Sequence, residues 1–210
     1  TIGGMIGNDS AGKGSSVYGK MSDCVVELHT VLRGGTHIDD HPDVIETIKY
    51  ACDTARPYFK EFWPTLQRFA TGYNLPMTWD GKIFDINRIL CGSEGTLGVT
   101  TSAVLQCVNV PNQQELVLLC FDSFDEALKC GVHLREFQPT AIETLDEMVL
   151  QAARNSSGWN SISEFLGTSR DDVRAILLVE FTDKYVQQTC EAIESAKSNY
   201  SLLHSSILTR

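Results

Sequence analysis

One stretch constrains the chain more than any other: Cys91-Gly92-Ser93-Glu94-Gly95-Thr96-Leu97-Gly98-Val99. Three glycines fall close together, with two hydroxyls and one carboxylate between them. An apolar segment, Ile83 to Leu90, leads in, and a β-rich run, Val99 to Val110, leads out. A backbone without Cβ atoms turns sharply and lets another molecule approach closely. Successive N–H groups in such a turn can form a concavity for an anion. The stretch therefore reads either as a backbone-lined binding loop ahead of a strand or as a tight surface connection that holds no ligand.

Composition narrows the function classes. The 210 residues allow one large domain or two small ones, each with a real core. Hydrophobic residues make up 42% and charged residues 21%, as in ordinary globular proteins. A formal net charge of −10 and a pI near 4.9 argue against nucleic acid as a partner, because phosphate binding needs a basic patch. No apolar run is long enough for a transmembrane helix, and no signal-peptide pattern opens the chain. Cys24, Cys52, Cys91, Cys107, Cys120, Cys130 and Cys190 are scattered, with no C-x-x-C pair. They read as reduced thiols of an intracellular protein, with no structural metal among them.

Taken in order, the chain starts on Thr1-Ile2-Gly3-Gly4-Met5-Ile6-Gly7, which reads as the interior of a domain, so a fragment of a longer protein is expected. Gly7 and Gly12-Lys13 have P-loop spacing, but Gly14 stands where magnesium needs Ser or Thr, and no strand precedes the loop. A Rossmann fingerprint fails for the same missing strand. Asp23 to Arg33 reads as a strand closed by Gly34-Gly35. His37, Asp39, Asp40 and His41 could hold a metal; they fit better as the lead into a helix that starts at Pro42. Val44, Ile45, Ile48, Ala51, Cys52 and Ala55 keep helical spacing, and Pro57 is expected to kink or end that helix. Phe59, Phe62, Trp63, Leu66 and Phe69 carry a second, aromatic stripe that reads as core. Ile83 to Leu90 reads as a short helix. The character changes at Val110-Pro111-Asn112, which sets expected domains of 1–110, with a helical insertion at about 42–72, and 111–210. Beyond that boundary, strands at Glu115–Phe121, Pro139–Thr144, Ala175–Phe181 and Leu202–Leu208 alternate with helices at Ser123–Glu136, Leu145–Arg154 and Tyr185–Lys197. That alternation suits an α+β sandwich of the ferredoxin-like type, which the chain holds in part.

Two separated motifs then coincide. Thr1-Ile2-Gly3-Gly4, followed by Gly12 and Tyr18-Gly19, resembles the middle of the FAD-binding domain of FAD-linked oxidases. Gly92-Ser93-Glu94-Gly95-Thr96-Leu97-Gly98-Val99 resembles the closing motif of that domain, and Gly72-Tyr73 with Leu75 fits the segment before it. The family is that of FAD-dependent D-lactate, glycolate and D-2-hydroxyglutarate dehydrogenases, related to vanillyl-alcohol oxidase. The helical stretch from Pro42 to Ala70 is similar to an insertion in a large bacterial branch of it. The resemblance implies the second half of a two-subdomain FAD-binding domain followed by part of a ferredoxin-like cap. It implies a pyrophosphate held mainly by backbone N–H groups, which suits an acidic chain. Thr1, Gly3, Gly4, Ser10 and Gly12 match the family's glycine-rich segment beside the flavin and its phosphates. Gly19 matches a position near the ribityl and adenosine side, and Glu94, Gly95 and Val99 match the closing loop. Glu94 reads equally well as an acceptor that fixes its own loop, and Tyr18 as a packing residue.

There are departures from the family pattern. Asp9 stands where this branch often has Asn; a carboxylate beside a pyrophosphate either faces away or weakens binding, and Lys13 is a candidate to offset it. The family's first phosphate loop and its His-containing catalytic segment are absent from the 210 residues, so no catalytic residue is assigned. In the family a hydride passes from the α-carbon of a 2-hydroxy acid to FAD, and a separate electron acceptor reoxidises it. The chain is thus expected to be a fragment of such an oxidoreductase, inactive alone, with weak or no FAD binding, and cytoplasmic or peripheral to the inner membrane. The competing reading is a non-catalytic interaction module on the same scaffold.

Overall fold

Ile6, Leu28, Ile38 and the run Ile89-Leu90-Cys91 come from distant parts of the sequence and are buried in one cluster. Val117, Leu119, Phe121, Leu177, Val179 and Phe181 are buried in another. The computed structural model accordingly divides into two units, Thr1–Val108 and Asn109–Arg210. It describes residues 1–64, 66, 71–160, 163 and 172–209.

The first unit is built on short helices around one two-stranded ribbon. Helix α1 (Ile2–Gly7) is capped by Thr1, whose Oγ1 accepts from the Gly4 N–H at 3.2 Å. Helices α2 (Ser15–Tyr18) and α3 (Met21–Cys24) follow. The Asp23 carboxylate accepts from the Lys20 N–H at 3.1 Å, which winds this turn and delays the expected strand to β1 (Val25–Val31). β1 pairs antiparallel with β2 (Val99–Leu105), with Val31 opposite Val99 and Leu28 opposite Ala103. At Gly98 a Cβ would lie 2.7 Å from both Thr30 Cγ2 and the Val31 carbonyl, so a side chain there would wedge the ribbon apart.

Helix α4 (Pro42–Phe62) starts at its proline as the sequence suggests and then runs through Pro57 instead of ending there. Proline inside a helix costs about 3 kcal/mol, and anchors in the turns just ahead of it offset that cost. Arg56 Nη2 donates to the Trp79 carbonyl at 3.0 Å, and Trp79 Nε1 donates to Asp53 Oδ1 at 3.1 Å. The Lys49 ammonium lies over the Trp79 and Phe84 rings. Phe69, expected in the aromatic stripe, lies outside the described residues. After α5 (Leu75–Thr78), the helix expected from Ile83 shrinks to α6 (Asn87–Leu90). Asp80 Oδ1 accepts the Lys82 and Ile83 N–H groups, and Asp85 Oδ1 accepts the Asn87 N–H at 3.0 Å. These local bonds claim residues 82–86 for turns.

The second unit is a four-stranded antiparallel sheet of order β4-β5-β3-β6. Its strands are β3 (Gln114–Phe121), β4 (Ala141–Leu145), β5 (Ala175–Thr182) and β6 (Leu202–Thr209). Helix α7 (Phe124–Leu134) joins β3 to β4, and α9 (Thr189–Asn199) joins β5 to β6. This βαββαβ order is the ferredoxin-like sandwich. Helices α7 and α9 cover one face through Ala127, Cys130, Leu134, Ala192, Ile193 and Ala196. Helix α8 (Glu147–Arg154) sends Leu150 to a second cluster with Leu118, Cys120 and Ile176, whose strand positions alternate with those of the first. With both faces covered, β3 and β5 are apolar almost throughout. Ser123 and Asp146 cap α7 and α8 by accepting the Glu126 and Val149 N–H groups.

Phe181 is fully buried in the first of these clusters. Phe181→Ala is expected to cost about 3–5 kcal/mol, read as an earlier urea midpoint with unchanged slope. Tyr50→Ala, on an exposed position of α4, is expected to change stability by less than about 0.5 kcal/mol.

Candidate functional site

The two glycine-bearing segments meet in the first unit. The Gly92 N–H donates to the Ile6 carbonyl at 2.9 Å, and the Glu94 N–H donates to the Gly7 carbonyl at 2.8 Å. A Cβ on Gly7 would sit 4.0 Å from Glu94 Cα, and one on Gly92 would sit 3.3 Å from Asp9 Cβ. The expected third segment joins them. Tyr73 Oη and Thr96 Oγ1 are 2.7 Å apart, and the Gly72 carbonyl lies 3.8 Å from the same Gly92 Cβ position. Asp9 and Glu94, one on each segment, both hold left-handed backbone, at φ +47° and +51°. Side-chain-bearing residues adopt that conformation at a cost of about 1–3 kcal/mol and persist in it where surrounding contacts impose it.

Asp9 underlies the junction. Its side chain is buried; Oδ1 accepts the Ser22 N–H at 2.8 Å, and Oδ2 accepts Ser22 Oγ at 3.1 Å and the Lys20 ammonium. The carboxylate faces inward, one of the two outcomes expected for it, and Lys20 lies against it as a neutralising partner. The network continues outward through Arg88, which donates to Asp23 Oδ1 at 2.6 Å and lies 3.4 Å from Asp85 Oδ2. Burial raises the Asp23 carboxyl pKa, but the Arg88 hydrogen bond, the Lys20 N–H and the two nearby cations outweigh it and hold the group below its ordinary value. A cleft of about 310 Å³ opens on this side; its walls include Lys20, Asp23, Trp63, Met77 and Arg88 but none of the matched glycines.

The remaining matched residues divide by what surrounds them. Among the described residues, nothing lies within 4 Å of a Cβ placed on Gly3, Gly12 or Gly95, and nothing accepts a hydrogen bond from the Gly12 or Gly95 amide. Open backbone with free donors fits the phosphate-facing role the resemblance implies. Gly4 sits against the Thr1 cap at 3.2 Å. The Ser10 carbonyl accepts the Met21 N–H, which ties the segment to α3. Gly19, at φ +78°, leaves only 2.8 Å between a Cβ and the Asp23 carboxylate, so local packing by itself already calls for glycine there. Val99 is exposed at the start of β2, opposite Val31. The exposed Glu94 carboxylate accepts no hydrogen bond from a described residue; its backbone does the fixing. Tyr18 packs its ring edge 3.1 Å from the Cβ position of Gly14. His41 is taken by Thr36 Oγ1 at 2.6 Å, and no described group of His, Cys, Asp or Glu is placed to hold a metal ion. Asp9 takes the inward-facing outcome of the two expected for it, and Lys20, its partner, is the residue that sequence reasoning missed. The available signal was an Asp in a glycine-rich turn, where left-handed backbone is tolerated.

Comparisons with known proteins place the chain. A family model described as FAD linked oxidases, C-terminal domain, matches residues 110–204. D-2-hydroxyglutarate dehydrogenase of Escherichia coli (strain K12) is 36% identical over 201 residues, which cover 86% of this chain and 20% of that protein. The chain belongs to the FAD-linked oxidase family. D-lactate dehydrogenase [cytochrome] 1, mitochondrial, of Saccharomyces cerevisiae is 28% identical over 152 residues, or 71% of this chain and 20% of that protein. A solved structure of alkyldihydroxyacetonephosphate synthase shares the fold with a TM-score of 0.60 at 22% identity, covering 99% of this chain and 32% of that one. The chain thus spans about a fifth of the length of these curated dehydrogenases. FAD is the cofactor of the family to which it belongs.

Two outcomes follow from the charges around the junction. Cys91 opens the closing motif, but burial and the Asp9 charge push its thiol up to about 12. Iodoacetamide at neutral pH is expected to label the exposed Cys107 and Cys190 and to spare Cys91 in the folded chain, as read by mass spectrometry. The lowered Asp23 pKa adds stability above the unfolded value near 3.8, and that stability is lost as pH falls through the lower folded value. Asp23 is well exposed, so Asp23→Asn is expected to cost about 1 kcal/mol or less at pH 7. The cost should vanish in acid, where both forms are neutral, as measured by thermal melts across pH.

Proposed function

We propose that this chain is the cofactor-side glycine cradle and the adjoining sandwich of an FAD-dependent dehydrogenase that oxidises a D-2-hydroxy acid. The observation that carries the reading is the pair of backbone hydrogen bonds that seats the Gly92–Glu94 loop on Ile6 and Gly7. It makes one structure of two motifs that the resemblance assigns to one cofactor. Open backbone at Gly3, Gly12 and Gly95 supports it. The FAD-linked relatives named as D-2-hydroxyglutarate and D-lactate dehydrogenases support the substrate class.

In this reading Thr1, Gly3, Gly4, Ser10 and Gly12 hold the dinucleotide from one segment, and Glu94 and Gly95 border it from the other. Gly19 and Val99 shape the segments that carry them. Bound FAD supplies the redox chemistry by accepting a hydride from the substrate, and the protein supplies placement and electrostatics. The 210 residues supply part of that placement and no assigned acid or base. The electron acceptor is a separate partner. No described helix is long and apolar enough to cross a membrane; the proposed location is the cytoplasm or the inner surface of the inner membrane.

Spectroscopy tests the proposal. The 210-residue chain alone is expected to purify without flavin colour and to bind added FAD weakly, since only part of the cradle is present. The full-length protein is expected to carry flavin absorption that bleaches anaerobically on addition of a D-2-hydroxy acid and not of its L-isomer. A full-length protein that binds no flavin, or flavin that no D-2-hydroxy acid reduces, contradicts it.

A further inference from the structure

We propose that Asp9 and Lys20 form a mutually neutralising buried pair that positions the glycine cradle, and that neither side chain touches the cofactor. Asp9 is then a positioning residue, and Lys20 is its charge partner instead of a phosphate ligand. The affinity part of this proposal rests on the flavin reading above; the positioning part does not.

The geometry argues each step. Asp9 accepts three hydrogen bonds, two from Ser22 and one from Lys20, so its carboxylate is committed inward. Its side chain is 5% exposed and that of Lys20 10%. The Asp9 N–H donates to the Ile6 carbonyl at 3.1 Å, the same oxygen that accepts from Gly92. The carboxylate therefore fixes a left-handed residue whose backbone shares an acceptor with the closing loop and whose Cβ forms the floor beneath Gly92. Ser22 extends the link: its Oγ lies 3.5 Å from Arg88 Nη1, on the helix that leads into the closing motif. Segments 6–10, 20–22 and 88–94 are thus joined through one carboxylate.

The charge argument is separate. A lysine close to a glycine-rich anion cradle would ordinarily be assigned to the anion. Here its ammonium is spent on a buried carboxylate, and the cradle's donors are backbone N–H groups. Removing one partner of a buried pair leaves an uncompensated charge, which is strongly unfavourable. Loss of Lys20 would leave the Asp9 charge beneath a site for a dianionic pyrophosphate. Loss of both restores neutrality. A phosphate-binding lysine would behave differently, because deleting Asp9 as well could not replace its contact.

The test combines Asp9→Asn, Lys20→Met and the double substitution with two readouts. The first is amide hydrogen exchange in the 210-residue chain. Asp9→Asn is expected to speed exchange at Gly92 and Glu94 about tenfold or more, while Val179 in the other unit keeps its rate. Unchanged rates at Gly92 and Glu94 overturn the positioning role, as does a rise spread equally over both units. If Lys20→Met does not fold, Lys20→Gln serves in its place with the same expectation. The second readout is FAD affinity of the full-length protein after removal and re-addition of flavin. Lys20→Met is expected to weaken FAD about tenfold, and the double substitution to recover to within about threefold of the parent. A double variant as weak as Lys20→Met shows that Lys20 contacts the cofactor and overturns the neutralising role. Should the parent bind no FAD at all, the function proposed above fails with the affinity claim, while the exchange readout still decides the positioning claim.

Discussion

The first unit depends on a junction of main chain with main chain. Two amides of the closing loop, Gly92 and Glu94, end on two carbonyls of the opening helix, Ile6 and Gly7. Backbone groups buried at a junction must be paired, and here the pairing also fixes the relation of the two glycine segments. A side chain would hinder it: a Cβ added at Gly92 would stand only 3.3 Å from Asp9 Cβ. Left-handed backbone at Asp9 and Glu94 concentrates strain at this one place, while Gly92 and Gly95 take the same conformation freely. The buried carboxylate of Asp9, with Ser22 and Lys20 around it, offsets that strain and keeps the arrangement single. The hydrophobic cluster of Ile6, Leu28, Ile89 and Leu90 supplies the floor on which the segments rest.

The second unit obeys a different constraint. Its central strands bury both faces, with α7 and α9 on one side and α8 on the other. Such strands need no alternation and lose much when a core side chain is cut. A stiff sandwich of this kind is a reasonable platform for residues that meet a substrate, but the described residues of this unit carry no assigned catalytic group.

How far the sequence could be read follows from this contrast. Strands β3 and β5 were legible because continuous apolar runs with flanking turn residues have few alternatives, and Ser123 announced α7 through its cap. The family was legible because the eight residues from Gly92 to Val99 are specific in type and spacing. The short elements of the first unit were not. Helices α3 and α6 owe their bounds to the carboxylates of Asp23 and Asp85, which no periodicity reports. The passage of α4 through Pro57 depends on Arg56 and Trp79, residues from two distant segments. The two readings of Asp9, facing away or weakening phosphate binding, stayed open because its inward partner lies eleven residues on, beyond a helical turn and a loop. No pattern in the sequence reports the Asp23 carboxylate that lies against Gly19.

The central claim is that the closing loop is hydrogen-bonded to the opening helix. Nuclear magnetic resonance detects scalar coupling across such bonds in the 210-residue chain without any cofactor. The account predicts cross-bond couplings from the Gly92 nitrogen to the Ile6 carbonyl carbon and from the Glu94 nitrogen to the Gly7 carbonyl carbon. Absence of both couplings, with water-exposed chemical shifts at the two amides in an otherwise folded chain, would contradict it.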